Sequence, residues 1–237
     1  MSGLKTAQRL QARGHEPVLL PMVRPIHFGE VATNVVTSLP GAFAVTSAEA
    51  IRALESHLPE HPAVTEVPLF AVGTASARAA REAGFTNVVA GQNDGPALAA
   101  LIADAAKAGD LHGPVSYLAG TLREKGFEQA LLSLNIPFST IEIYEMVDVV
   151  WQRSDLEDPL CNAPVDAVLL YSAEATRRFF TLCESQQVLD CLGHTHFIAI
   201  SEKVRAQVPE RFRPVAWASA DPVEEQMFDL LERKAGT

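Results

Sequence analysis

Apolar residues fall along this chain in two alternating patterns. Short unbroken runs rich in Val, Leu, Phe and Ala give way to longer stretches in which apolar positions recur every three or four residues. The first pattern is that of a buried strand and the second that of an amphipathic helix. From position 42 onward they predict strand 42–46, helix 48–57, strand 69–72, helix 75–83 closed by Gly84, strand 87–90, helix 96–108, strand 115–118, helix 122–134 and strand 138–143. A second series predicts strand 166–170, helix 173–185, strand 196–200, helix 202–208, strand 213–218 and helix 223–233. Upstream, Leu4, Ala7 and Leu10 stand at helical spacing before Gly14, a strand follows at 17–20, and 31–39 reads as helical. Strands alternating with helices argue for parallel sheets covered by helices.

The two series are copies of one another. Ser47-Ala-Glu-Ala50 returns as Ser172-Ala-Glu-Ala175, Phe70 aligns with Phe197, Val88 with Val215 and Pro96 with Pro222, at offsets of 125–127 positions. That period is far too long for a solenoid and marks a duplicated α/β unit. The copies are not head to tail, because the strand–helix–strand of 115–143 has its counterpart in Leu4–Leu20. The expected fold is therefore α/β with two doubly wound parallel-sheet domains. A discontinuous flavodoxin-like domain is built from 1–22 and 149–237, an α/β domain of 26–143 is inserted into it, and linkers at 23–25 and 144–148 form a two-stranded connection. Nothing before Leu4 matches strand 115–118, so the first domain is expected to lack its first strand, which in a doubly wound sheet is central. Either that strand lies upstream or the domain is mended in another way.

Composition narrows the function classes. A chain of 237 residues with 48% hydrophobic and 20% charged residues is ordinary for a globular protein of two domains. The net charge of −10 and only 7% aromatics argue against nucleic acid as a partner, since phosphates need clustered cations and bases need stacking platforms. Cys161, Cys183 and Cys191 show no Cys-x-x-Cys spacing, so neither a disulfide framework nor a structural zinc site is expected, and a cytoplasmic location fits. No run approaches the length of a membrane span and the N-terminus lacks a signal-peptide core, so no membrane partner is expected. The expected state is a monomer.

Candidate chemistry lies at the carboxyl ends of the strands, where helix N-termini present free N–H groups. Thr46-Ser47, Gly73-Thr74-Ala75-Ser76, Gly120-Thr121-Leu122-Arg123, Tyr171-Ser172 and Ser201-Glu202-Lys203 occupy those places and are mostly small or hydroxylic. Each serine is explained individually as an N-cap. Five such ends together suit the binding of carboxylates. There is no Gly-x-Gly-x-x-Gly, Walker loop or Gly-x-Ser-x-Gly elbow, and the seven histidines are scattered. Glu49 and Glu174, at matching places in the copies, read as first-turn helix-dipole partners.

The chain resembles the uroporphyrinogen-III synthase family. Val45-Thr-Ser47, Leu69-Phe-Ala-Val-Gly-Thr-Ala-Ser76 with Gly84, Gly120-Thr-Leu-Arg123, Ile143-Tyr-Glu-Met146, Leu169-Leu-Tyr-Ser172 and Ile198-Ala-Ile-Ser201 carry the resemblance through their order and spacing. It implies cofactor-free closure of the linear tetrapyrrole hydroxymethylbilane to uroporphyrinogen III with ring D inverted. It also implies a substrate site drawn from Ser47, Gly73, Thr74, Ser76, Gly120, Thr121, Arg123, Ser172, Ser201 and Lys203, with Tyr144 as the catalytic tyrosine and no metal. Two roles stand for Tyr144, a donor toward the leaving hydroxyl or an amphipathic ring packed at a domain junction. The competing reading of the whole chain is a two-lobed module that binds a tetrapyrrole or another polycarboxylate without turning it over.

Overall fold

The computed structural model describes residues 3–92 and 94–235. In chain order the elements are α1 (Gly3–Ala12), β1 (Val23–His27), α2 (Gly29–Thr37), β2 (Ala42–Val45), α3 (Ala48–Glu55), β3 (Leu69–Val72), α4 (Gly73–Glu82), β4 (Val88–Gly91), α5 (Gly95–Ala108), β5 (Val115–Gly120), α6 (Gly126–Ser133) and β6 (Phe138–Asp148). They continue with α7 (Arg153–Glu157), β7 (Ala167–Leu170), α8 (Ala173–Ser185), β8 (His196–Ala199), α9 (Glu202–Arg205), β9 (Ala216–Ala218) and α10 (Glu224–Ala235). The chain divides into two compact units, one of Arg24–Val147 and one of the chain up to Val23 together with Asp148 onward.

In the unit of Arg24–Val147, the strands lie in the order β1-β6-β5-β2-β3-β4. The pairs β6–β5, β5–β2, β2–β3 and β3–β4 are parallel. The runs Ala42–Val45 and Val115–Gly120 are buried throughout, because helices cover both faces of a parallel sheet. Alternation along β2 decides which side each residue serves. Phe43 and Val45 join the cluster under α2, α3 and α4, while Ala42 and Ala44 join the cluster under α5 and α6. Asp94 opens α5 by accepting from Ala97 N at 2.7 Å, and Gly109 closes it at φ 84°, where a side chain would be strained.

The other unit has a three-stranded parallel sheet, β7-β8-β9. One face carries α7 and α8 over a cluster in which Phe180 packs against Phe179, Phe197 and Phe212. The other face carries α1 and α10, with Leu10, Ile198, Met227, Phe228 and Leu231 between them. Arg9 and Arg13 pair with Glu224, Glu225 and Glu232 of α10 and lie over the Phe228 ring.

Several elements differ from the sequence reading. The run 17–20 is not a strand: no strand pairs with it, and Val18 is 65% exposed. The helix expected from 122 begins at Gly126, because residues 120–121 direct their backbone groups to Arg123 and Tyr144 instead. The helix from 202 is cut to four residues ahead of Pro209, and a 3₁₀ turn, Glu210–Val215, takes the first half of the strand expected at 213–218. Cys161 and Cys191 are joined in a disulfide, contrary to the expectation from their spacing. Burial of Leu160 and Leu192 in one cluster brings the turns 158–162 and 189–192 together, so the cysteine Cα atoms stand 5.0 Å apart across 30 residues of sequence. Cys183 remains a free, buried thiol.

Candidate functional site

Parallel pairing puts the carboxyl ends of β5, β2 and β3 side by side, and most of the residues singled out in the unit of Arg24–Val147 follow those ends. The edge is shaped by an irregularity. Ala119 pairs with Glu142 but Gly120 pairs with Tyr144, so β6 carries one extra residue there. Such a bulge re-aims the side chains beside it. Ile143 and Tyr144 accordingly both enter the cluster under α2 and α3.

Gly120 is what lets the Tyr144 ring lie where it does. A Cβ at position 120 would stand 2.8 Å from Cζ and 3.0 Å from the hydroxyl oxygen of Tyr144. Thr121 N donates to Tyr144 O at 3.0 Å, closing the pairing past the bulge. Tyr144 is 9% exposed, yet its hydroxyl has no hydrogen-bond partner among the described residues and is not sealed from solvent. A phenol held by packing with a free O–H is a proton donor available to a ligand.

Arg123 has a different situation from the one its charge suggests. Its guanidinium donates to Gly120 O at 3.0 Å, Thr121 O at 3.3 Å, Glu142 at 2.8 Å and Glu128 at 3.1 Å. These bonds hold the turn behind Tyr144. Burial opposes ionisation of Glu128, but hydrogen bonds from Thr140, Lys125 and Arg123 outweigh it and keep its carboxyl below the usual range.

The neighbouring ends differ in capping. Ser47 accepts from Glu49 N at 3.2 Å and so caps α3 itself. The helix α4 has Val72 at its N-cap with no side-chain bond, which leaves its first N–H groups free behind Gly73 (φ 70°). Thr74 beside it is exposed and Ser76 is buried. Sequence reasoning passed over Tyr117 and His27 here. Tyr117 and Thr46 share a hydroxyl–hydroxyl bond of 2.9 Å, and burial pushes the Tyr117 phenol up. His27 Nε2 lies 2.8 Å from Glu49 Oε1, and Glu49 also pairs with Arg52. No local motif announces a contact between residues 22 positions apart.

In the other unit, Ser172 accepts from Ala175 N at 3.1 Å, while Ser201 makes no capping bond. Lys203 is exposed and its ammonium has no partner among the described residues. Beside Ser172, the Tyr171 hydroxyl donates to Glu224 at 2.8 Å, Thr6 donates to the same oxygen at 2.6 Å, and Arg9 pairs with the other. Glu224 is only 4% exposed, so these partners are what make its burial tolerable. Burial and then this carboxylate raise the Tyr171 phenol well above its ordinary range. Among the described residues no group of three or more His, Cys, Asp or Glu is placed to hold a metal ion, and no helix is long and apolar enough to cross a membrane.

Comparison with known proteins adds a family. The family model described as uroporphyrinogen-III synthase HemD matches residues 5–229. No curated protein matches the chain. Among solved structures, the uroporphyrinogen-III synthetase of Helicobacter pylori 26695 aligns with a TM-score of 0.59 at 15% identity, covering 91% of this chain and 94% of that one. A mutant uroporphyrinogen III synthase of the extremely thermophilic bacterium Thermus thermophilus aligns with a TM-score of 0.50 at 15% identity, covering 98% and 94%. At that identity the structures speak for the α/β fold, and it is the family model that speaks for membership.

Proposed function

We propose, from the premise that this chain belongs to the uroporphyrinogen-III synthase family, that it closes hydroxymethylbilane to uroporphyrinogen III with inversion of ring D. The family places the chain among lyases of tetrapyrrole biosynthesis that act on a tetrapyrrole. In the chemistry, the C–O bond of the ring A hydroxymethyl breaks as the oxygen takes up a proton and leaves as water. The resulting azafulvene cation is attacked by the substituted α-carbon of ring D to give a spiro intermediate. Reopening releases ring D, and reclosure through its other α-carbon, which then loses a proton, restores aromaticity. The pyrroles supply every electron pair. The protein's task is to fold the chain, protonate the leaving oxygen and favour the spiro route.

Tyr144 carries this reading. Its ring is wedged against Gly120 and its hydroxyl is left without a partner among the described residues, which suits a donor reserved for the leaving oxygen. The first N–H groups of α4 at Gly73 and Thr74 and the hydroxyl of Ser76, together with Thr121, Ser201 and Lys203, supply positions for substrate carboxylates. Ser47 and Ser172, already capping their helices, would bind through the N–H groups they leave over, and Arg123 would act by holding the Gly120 turn.

The finer architecture belongs to the same proposal. We take 1–22 with 149–237 and 26–143 as two domains, with 23–25 and 144–148 as their linkers. The order β6-β5-β2-β3-β4 against β7-β8-β9 supports the reading that the smaller sheet is short of the strand equivalent to β5, with the unpaired 17–20 beyond it. No observation favours the alternative of a module that binds without catalysis. The test is the isomer formed from enzymatically generated hydroxymethylbilane by the wild type and by Tyr144→Phe.

A further inference from the structure

We propose that His27, oriented by Glu49, is the base that removes the ring D proton at the closing step; this rests on the reaction proposed above. The register of β1 on β6 places it. Val149 N donates to Met22 O at 3.1 Å and Phe28 N to Ile143 O at 2.9 Å, so the two strands run antiparallel without slippage between those bonds. Counting inward, His27 stands directly opposite Tyr144. It occupies a non-hydrogen-bonded site, the type in which facing Cα atoms are about 4.5 Å apart and side chains are closest. Both residues serve the same side of the sheet. Tyr144 lies in the cluster that contains Ala50, Ile51 and Leu54 of α3, and His27 reaches Glu49 of that same helix.

The contact with Glu49 settles which nitrogen is free. A carboxylate accepts only, so Nε2 is the donor in the 2.8 Å bond and Nδ1 is the nitrogen that Glu49 does not engage. Glu49 is only 15% exposed and is pinned by Arg52 as well, whereas the His27 side chain is 35% exposed and open to an incoming ligand. This is the arrangement of an oriented general base, an imidazole with one nitrogen fixed by a carboxylate and the other left to take a proton.

The reaction needs such a group once the tyrosine has acted. Tyr144 gives its proton to the departing hydroxyl, which leaves as water, and the tyrosine remains as tyrosinate. At reclosure the unsubstituted α-carbon of ring D forms its new C–C bond and must lose its hydrogen as a proton to regain aromaticity. His27 Nδ1 takes that proton and releases it to solvent, from which the tyrosinate regains its own. One proton enters the substrate and one leaves it, the only by-product is water, and both side chains return to their starting states.

Three variants test this in the full-length protein, with type III formation from hydroxymethylbilane as the readout. His27→Ala is expected to slow type III formation about 100-fold, the low end of what a general base contributes, with unchanged circular dichroism and melting. Free imidazole in the buffer is expected to restore its rate in proportion to concentration. His27→Gln keeps a donor toward Glu49 but cannot take up a proton, so it should be equally slow and unrescued. Tyr144→Phe should not respond to imidazole. A His27→Ala enzyme as fast as wild type, or a slow one that no imidazole restores, overturns the assignment of His27 while leaving the proposed function standing. A folded wild type that yields only the spontaneous type I isomer overturns both.

Discussion

Gly120 and Tyr144 face each other across β5 and β6 so closely that the ring of the tyrosine fills the place a side chain at 120 would take. The bulge at Ile143 and the missing Cβ at Gly120 are two parts of one device. The first turns the ring toward the neighbouring helices, and the second leaves room for it. A tyrosine held this way is positioned by packing, and under the proposed function its oxygen is the one offered to substrate.

Gly120→Ala is therefore expected to damage the site without abolishing the fold. The added methyl would lie 2.8–3.0 Å from Cζ, Cε2 and the hydroxyl oxygen of Tyr144, whose ring has aromatic stiffness and buried neighbours. Overpacking of this kind costs about 1–3 kcal/mol. Thermal unfolding should show that loss, and type III formation should fall about as far as in Tyr144→Phe. Wild-type stability and rate together would show that the ring has room to move aside.

The cysteines give a second expectation. The Cys161–Cys191 bridge closes a loop of 30 residues, a length for which loss of the bond costs about 3.6 kcal/mol. Burial pushes the Cys183 thiol up to about 12, so it is protonated and unreactive at neutral pH. The native protein is expected to show no reactive thiol, the denatured protein one, and the denatured and reduced protein three. Replacing Cys161 and Cys191 by Ser should lower the melting point of the unit that contains them. Three thiols in denaturant alone would contradict the bridge.

Stability should also fall in acid partly through Glu128. Its folded pKa lies below the unfolded value, so its contribution is present above the unfolded value of about 4.3 and is lost as pH falls through the folded one. Glu128→Gln should remove that part of the slope of unfolding free energy against pH on the acid side of about 4.3, where the wild type keeps it. Identical slopes in denaturant titrations at pH 3 to 5 would mean that the Thr140, Lys125 and Arg123 bonds do not persist in solution.

What could be read from the sequence follows the range of the interaction. Runs such as Ala42–Val45 and Leu69–Phe70 announce strands because a two-sided parallel sheet demands apolar residues at every position. Ser47 and Ser172 are legible because capping is settled within three residues. The strand expected at 17–20 did not form because a strand needs a partner, which its own residues cannot supply. The Cys161–Cys191 pair depends on two leucines meeting in one core, and the His27–Glu49 contact on a strand crossing toward a helix. The partners of Arg123 were not legible either: the structure gives its hydrogen bonds to the chain's own carbonyls and carboxylates, which only the folded turn brings to it.

The most direct test of the central claim supplies hydroxymethylbilane enzymatically and separates the uroporphyrinogen isomers chromatographically, for wild type and Tyr144→Phe at matched concentrations. The prediction is type III from the wild type without added metal or nucleotide, and type III formation slowed by roughly 100-fold in a variant whose circular dichroism and melting are unchanged. Type III formed equally fast by Tyr144→Phe would make the tyrosine a packing residue. A folded wild type yielding only the spontaneous type I isomer would contradict the proposed function.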